Sequence, residues 1–128
     1  MWNKDGLTGD VAELAPLDAL IYLNLRWCNN VHGDVGALVA IGGTLEHLNL
    51  ERTGVSGSVE PLAALTGLTT LRLHNTVVSG SVEPLAALTG LTYLSLSYDT
   101  DVSGSIEPLA ALTGLNTLLL ASTDVHGN

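Results

Sequence analysis

The chain has 128 residues and a formal net charge of −9, from 4 Lys and Arg set against 13 Asp and Glu. That balance excludes a phosphate backbone as partner, and a charged fraction of 13 % is about half the usual share for a soluble domain. Glu, Thr and Gly break every apolar run short of a membrane span, the opening MWNKDGLTGD lacks a signal-peptide core, and one cysteine excludes an internal disulfide.

Taken in order, the chain is a series of repeats marked by Gly9, Gly33, Gly57, Gly80, Gly104 and Gly127. Trp2 and Leu7 precede the first unit and are expected to cover it partly, as a thin cap. Its apolar ladder is Val11, Leu14, Leu17, Leu20, Leu23 and Leu25, spaced by three until the last step of two. The second unit carries one inserted residue near Gly42–Gly43, giving Val35, Leu38, Ile41, Leu45, Leu48 and Leu50. The third runs Val59, Leu62, Leu65, Leu68, Leu71, Leu73; the fourth, Val82 to Leu96; the fifth, Ile106 to Leu120. A period of three keeps one face inward along a 3₁₀-like turn, and the closing period of two is a strand. Each unit is therefore predicted to be a loop of chain with a short strand on one side and a tight helical turn on the other. Val125-His126-Gly127-Asn128 opens a sixth unit, so both ends are expected to be weakly capped or truncated.

Within the units, Glu60-Pro61, Glu83-Pro84 and Glu107-Pro108 open the turn. Proline suits a first helical position, and the carboxylate suits the positive end of the helix dipole. Gly67, Gly90 and Gly114 are expected to close it in a left-handed conformation. The Glu column reads as a solvated row rather than a catalytic set. Thr53, Thr76, Thr100 and Thr123 form a second ladder, open to an ice-binding reading but better explained by threonine hydroxyls satisfying buried backbone groups. Cys28 holds the equivalent place in the first unit and reads as a small buried hydrophobe.

The segment Leu68-x-x-Leu71-x-Leu73-x-x-Thr76-x-Val78 resembles the leucine-rich repeat pattern, with Thr where Asn is commonest and Cys28 at that place in the first unit. The downstream SGSV and SGSI resemble the GxI signature of the plant-specific class and of related protist surface antigens. The resemblance covers about Leu7 to Gly127 in 23–24-residue units. It implies one domain over residues 1–128 with about five repeats. It also implies an α/β solenoid: a right-handed coil with a short parallel β-sheet on the concave face and tight 3₁₀ or helical turns on the convex face.

No motif carries chemistry: there is no nucleophile elbow, phosphate loop or HExxH, and the chain is read as non-enzymatic. Cys28 with His32 is too few ligands for zinc, and Asp99 with Asp101 too few for calcium, so no metal or cofactor is expected. Variety gathers instead on the strand positions between and beside the leucines, which alternation turns outward. There lie Tyr22, Arg26, Trp27, His47, Arg52, Arg72, His74, Tyr93 and Tyr98, including three of the four Lys/Arg and four of the five aromatics. The turn face repeats Ala63-Ala64, Ala86-Ala87 and Ala110-Ala111 without change. Tyr, Trp and Arg anchor interfaces, so these nine residues are the candidate surface for a protein or peptide partner. The alternative is a structural subunit of a larger complex, packed through its Ala-rich convex face and open ends.

Overall fold

The three-residue spacing of the leucines coincides with a hydrogen-bond pattern. In the third unit Leu62 N–H donates to Val59 C=O (3.0 Å), Leu65 to Leu62 (2.9 Å) and Leu68 to Leu65 (3.1 Å). Val82, Leu85, Leu88 and Leu91 repeat the pattern, as do Ile106, Leu109, Leu112 and Leu115. Each ladder residue thus bonds to the one before it, and the three-residue turn eclipses their side chains on one inward line. This computed structural model describes residues 7–98 and 101–126. Trp2, Asp99, Thr100, Gly127 and Asn128, named above, lie outside the described residues.

The 3₁₀ turns span Val11–Leu14, Val35–Ile41, Glu60–Ala64, Glu83–Ala87 and Glu107–Ala111. The strands, in chain order, are β1 (Thr8–Asp10), β2 (Tyr22–Asn24), β3 (Asn30–Asp34), β4 (His47–Asn49), β5 (Gly54–Ser58) and β6 (Thr70–Arg72), then β7 (Val77–Ser81), β8 (Tyr93–Ser95), β9 (Asp101–Ser105), β10 (Thr117–Leu119) and β11 (Asp124–His126). They form two parallel sheets. The first has five strands in the order β2-β4-β6-β8-β10, and its register stacks Leu23, Leu48, Leu71, Leu94 and Leu118 on one another. The second has six, in the order β1-β3-β5-β7-β9-β11.

That second sheet extends the sequence reading, which placed one strand in each unit. It is built from the Val-Ser-Gly-Ser stretches, where Val55, Val78 and Val102 are buried beneath the sheet. The central glycines take φ of +90° at Gly57, +93° at Gly80 and +102° at Gly104. A Cβ at Gly57 would strike the Asp34 carboxylate, and one at Gly80 the Ser58 hydroxyl. Glycine here makes room for a side chain of the preceding repeat.

Those side chains hold the 3₁₀ turns. Asp10 and Asp34 accept from the N–H of Ala12 (2.8 Å) and Gly36 (2.7 Å). Ser58, Ser81 and Ser105 accept from Glu60, Glu83 and Glu107 N–H at 3.0–3.1 Å. The Glu column does more than face solvent. Glu60 accepts from Ser81 N–H (3.2 Å) and Glu83 from Ser105 N–H (3.1 Å), so each carboxylate also ties its repeat to the next.

The glycine expectation needs correction. The described left-handed glycines are Gly9, Gly33, Gly42, Gly57, Gly80 and Gly104, whereas Gly67, Gly90 and Gly114 keep ordinary φ. Leu65, Leu88 and Leu112 cap the third to fifth turns instead. At Gly67 the demand is close approach, since a Cβ would lie 2.5 Å from the Gly43 carbonyl oxygen.

The threonine ladder is structural where it is described. Thr53, Thr76 and Thr123 donate to the carbonyls of Leu50 (2.7 Å), Leu73 (2.6 Å) and Leu120 (2.6 Å), closing the turn after the first-sheet strand. Cys28 is fully buried at the same place, and burial pushes its thiol above the usual range. From Val35 to Leu96 the apolar ladder is continuous and buried. In the outermost repeats, packed on one side only, Leu17, Ile106 and Leu118 are 48 %, 40 % and 39 % exposed.

Leu94→Ala, fully buried within this stack, is expected to lower stability by about 2–5 kcal/mol through lost burial and a cavity. Ala87→Ser, on the exposed side of a turn, is expected to change it by less than about 0.5 kcal/mol. Equal shifts in urea midpoint for the two variants would overturn this inside–outside assignment.

Candidate interaction face

The first sheet buries its leucines and turns the residues between them outward, in columns one repeat apart. One column runs Tyr22, His47, Thr70, Tyr93, Thr117 and the next Asn24, Asn49, Arg72, Ser95, Leu119, as the strand register requires. Immediately beyond the strands come Arg26, Glu51, His74, Ser97 and Ala121, and then Trp27, Arg52, Asn75, Tyr98 and Ser122.

The last of these columns is a ridge with an unusual backbone. Trp27, Arg52, Asn75, Tyr98 and Ser122 have φ of +67°, +56°, +57°, +59° and +61°. The N–H of Trp27 donates to Glu51 C=O (2.9 Å), that of Arg52 to His74 (3.2 Å), that of Asn75 to Ser97 (3.2 Å) and that of Tyr98 to Ala121 (3.0 Å). The chain thus completes its ladder to the next repeat, then turns left-handed to leave the first sheet for the second. Glycine or Asn adopts that turn most readily, and a bulky side chain there costs about 1–2 kcal/mol.

All nine predicted residues fall on this face or its ridge, and several touch. The Tyr22 and His47 rings are 5.4 Å apart. Arg72 lies 3.9 Å from the centre of the Tyr93 ring and Arg52 4.4 Å from that of Trp27. Tyr22, Arg26, His47 and Arg72, with Asn24, Asn49 and Thr70, line a depression of ≈ 270 Å³ over the first three strands. Its amides are oriented by the backbone. Asn24 Oδ1 accepts from Arg26 N–H and Asn49 Oδ1 from Glu51 N–H, both at 3.1 Å, which turns the NH₂ ends toward the depression, where that of Asn24 donates to the Tyr22 hydroxyl (3.5 Å). His74 and Tyr98 border a second, more apolar depression of ≈ 350 Å³ with Ser95, Ser97, Leu118, Leu119, Leu120 and Ala121.

The outward pattern misses Glu51, Ser95 and Ser97, which are 4 %, 0 % and 4 % exposed. Glu51 Oε2 lies 3.5 Å from Arg72 and 3.3 Å from His74 Nδ1, and His74 Nδ1 is also 3.1 Å from Ser95 Oγ. The Glu51 carboxylate is therefore a buried group held by two partners on the surface above it, and Arg72 and His74 are partly structural. The signal was present: Glu51 is the sole acid among the twenty outward positions, and its repeat-equivalent is His74. Ser97 Oγ accepts from Ala121 N–H (3.0 Å), and among the described residues every buried side-chain N or O has a partner. Among the same residues no group of three His, Cys, Asp or Glu is placed to hold a metal ion, and no helix is long and apolar enough to cross a membrane.

No protein-family model matches the sequence, and no curated protein matches it. Solved structures do. The chain is similar to a TDR receptor (30 % identity over 89 % of this chain and 20 % of that one, TM-score 0.78). It is also similar to the Arabidopsis receptor kinase HAESA, solved in complex with the peptide hormone IDA and the co-receptor SERK1 (27 %, 93 % and 20 %, TM-score 0.80). An internalin from Listeria monocytogenes matches at 26 % over 91 % of this chain and 32 % of that one, TM-score 0.74. The chain spans about a fifth of the two receptors. Together with the repeat ladder and the two parallel sheets, these likenesses make the chain a leucine-rich repeat protein.

Two substitutions separate backbone cost from side-chain support. Tyr98→Gly is expected to leave thermal stability unchanged or raise it by up to about 1 kcal/mol, because glycine suits the left-handed turn. Arg72→Ala, which removes one partner of the buried Glu51, is expected to lower it by about 1–3 kcal/mol. Calorimetry of the two variants beside wild type checks both signs.

Proposed function

We propose that the chain is a single leucine-rich repeat domain of about five repeats that acts as a non-enzymatic protein-recognition module, binding a protein or peptide on the outward, concave side of its first sheet. One observation carries this reading. In a molecule of net charge −9, the strand face and ridge gather three of the four Lys/Arg and four of the five aromatics, with Glu51 as their one acid. Arg26 is exposed and has no ion-pair partner among the described residues. Five strands at about 4.8 Å present a face roughly 24 Å long, enough for a short extended segment. The HAESA structure, solved with a peptide hormone, supports the same class of partner. The candidate contacts are Tyr22, Arg26, Trp27, His47, Arg52, Arg72, His74, Tyr93 and Tyr98.

The competing reading, a subunit of a larger assembly, draws on the exposed Ala64, Ala87 and Ala111 of the turn face. Peptides selected from a random display library on the immobilised chain discriminate the two. Arg26→Glu reverses an exposed charge and leaves the Glu51 cluster intact, so it is expected to weaken selected peptides by more than about tenfold. Ala87→Arg is expected to leave them unchanged. The recognition reading fails if Arg26→Glu is silent while Ala87→Arg abolishes peptide binding, or converts a self-associating chain to monomer in sedimentation.

A further inference from the structure

Beside the ridge, where the chain passes toward the second sheet, lies a further recess of ≈ 280 Å³. It is lined by Asn29 of the first repeat, Arg52, Thr53 and Gly54 of the second, and Asn75 of the third. Thr53 spends its hydroxyl proton on the Leu50 carbonyl. Arg52 is exposed, and its guanidinium carbon sits 4.4 Å from the centre of the Trp27 ring. A guanidinium laid on a ring engages through its face and keeps its N–H edge for a planar acceptor. Among the described residues, the side chains of Arg52, Asn29 and Asn75 have no hydrogen-bond or ion-pair partner. The recess belongs to one level of the stack. The position after the buried threonine reads Gly54, Val77, Asp101 and Asp124 in successive repeats. Glycine bares the backbone beside Arg52, whereas the later repeats put valine or an acid there.

We propose that this recess binds a single carboxylate-bearing sugar, a hexuronate at the end of a glycan, with its carboxylate on Arg52 and its hydroxyls on the Asn29 and Asn75 amides. The site is separate from the strand face and does not rest on the peptide reading. Arginine holds a planar carboxylate through two parallel N–H bonds. One guanidinium in a chain of net charge −9 complements one negative charge, which disfavours a phosphate chain or a run of acids. Each amide carries both donors and an acceptor, the combination that matches sugar hydroxyls. A peptide backbone finds no purchase here: β3, β5 and β7 are paired on both sides, so no strand edge is open to it. Size points the same way. A volume of ≈ 280 Å³ falls just below the about 300–1,000 Å³ of sites for drug-sized ligands, which leaves room for one ring.

The test titrates the ¹⁵N-labelled chain with the methyl glycosides of glucuronic and galacturonic acid, with methyl glucoside and with acetate, following backbone and Asn side-chain amides. At least one uronate is expected to shift the Asn29 and Asn75 side-chain signals and to saturate with Kd near about 1 mM, the glucoside and acetate each being at least about tenfold weaker. Arg52→Asn places at this left-handed turn the residue that Asn75 supplies one repeat on. It is expected to bring the uronate down to the glucoside level. Asn75→Gly, also suited to its turn, is expected to weaken the uronate by about fivefold and to leave acetate unchanged. Circular dichroism checks that both variants remain folded. Arg26→Glu is expected to be silent here, which separates this site from peptide recognition on the strands. Acetate binding as tightly as the uronates would overturn the sugar, and glucoside binding as tightly would overturn the role of the carboxylate. Uronate affinity unchanged in Arg52→Asn, shifts confined to strand-face amides, or no shift up to about 20 mM would overturn the proposal as a whole.

Discussion

The fold depends on one coincidence of periods: a 3₁₀ hydrogen bond joins residue i to i+3, and the ladder leucines are three residues apart. The same atoms that satisfy the backbone therefore aim every large side chain at one line. A 3₁₀ helix is ordinarily limited to a few residues because its side chains eclipse and its bonds are poorly aligned. Here the eclipsed leucines are useful, since stacked repeats bury them together. Leu62, Leu65 and Leu68 are fully buried while Leu65 N–H and Leu68 N–H are both bonded within their own turn. Sideways pairing then extends the object, because each strand of one repeat hydrogen-bonds the same strand of the next.

This is why so much of the architecture was legible in the sequence. Period three and the closing period of two are properties of the backbone written directly into side-chain identity, and the copies confirm each other. The second sheet was less visible for a physical reason. Three of its strands, β5, β7 and β9, end in Ser-Gly-Ser, a composition that reads as turn. The glycine is required by a clash with Asp34 or Ser58 of the preceding repeat, which exists only once repeats are stacked. Gly67 misled for a similar reason, since its constraint is the Gly43 carbonyl one repeat away rather than a local dihedral angle. Information held between repeats, at separations of 20 or more residues, is what local pattern reading loses; the contact of Glu60 with Ser81 N–H, 21 residues on, is the same kind of case.

The outward side of the first sheet shows the same division. Alternation correctly turns Tyr22, His47, Arg72 and Tyr93 outward, but it assigns Glu51 outward as well. Alternation fixes where a Cβ points; the reach of the side chain decides what covers it. The Glu51 carboxylate is covered by Arg72 and His74. Isolated, that carboxylate would carry a large desolvation penalty, and two cationic or hydrogen-bonding neighbours offset it. The cationic character of the centre of the face is thereby reduced, and Arg26, exposed and outside that cluster, becomes the cleaner electrostatic feature.

Repetition and variety are separated by the same coil. EPLAALTGL is identical in the third, fourth and fifth units, and its ladder leucines must fit the copies above and below, so a change in one unit is felt in its neighbours. The following segments, TTLRLHNT, TYLSLSYDT and NTLLLAST, keep their leucines and change the residues that point away from the stack. At the ridge those changes extend even to positions where the backbone favours glycine, and Trp27, Arg52 and Tyr98 stand there instead. Packing does not demand their bulk: Tyr98 is 51 % exposed and Trp27 39 % exposed. Arg52 and Trp27 stack on each other at 4.4 Å, so part of the ridge's bulk is spent within the fold, along the same side as the outward strand columns. The stack thus constrains its inward leucines tightly and leaves the residues of the strand face and ridge free to differ from repeat to repeat.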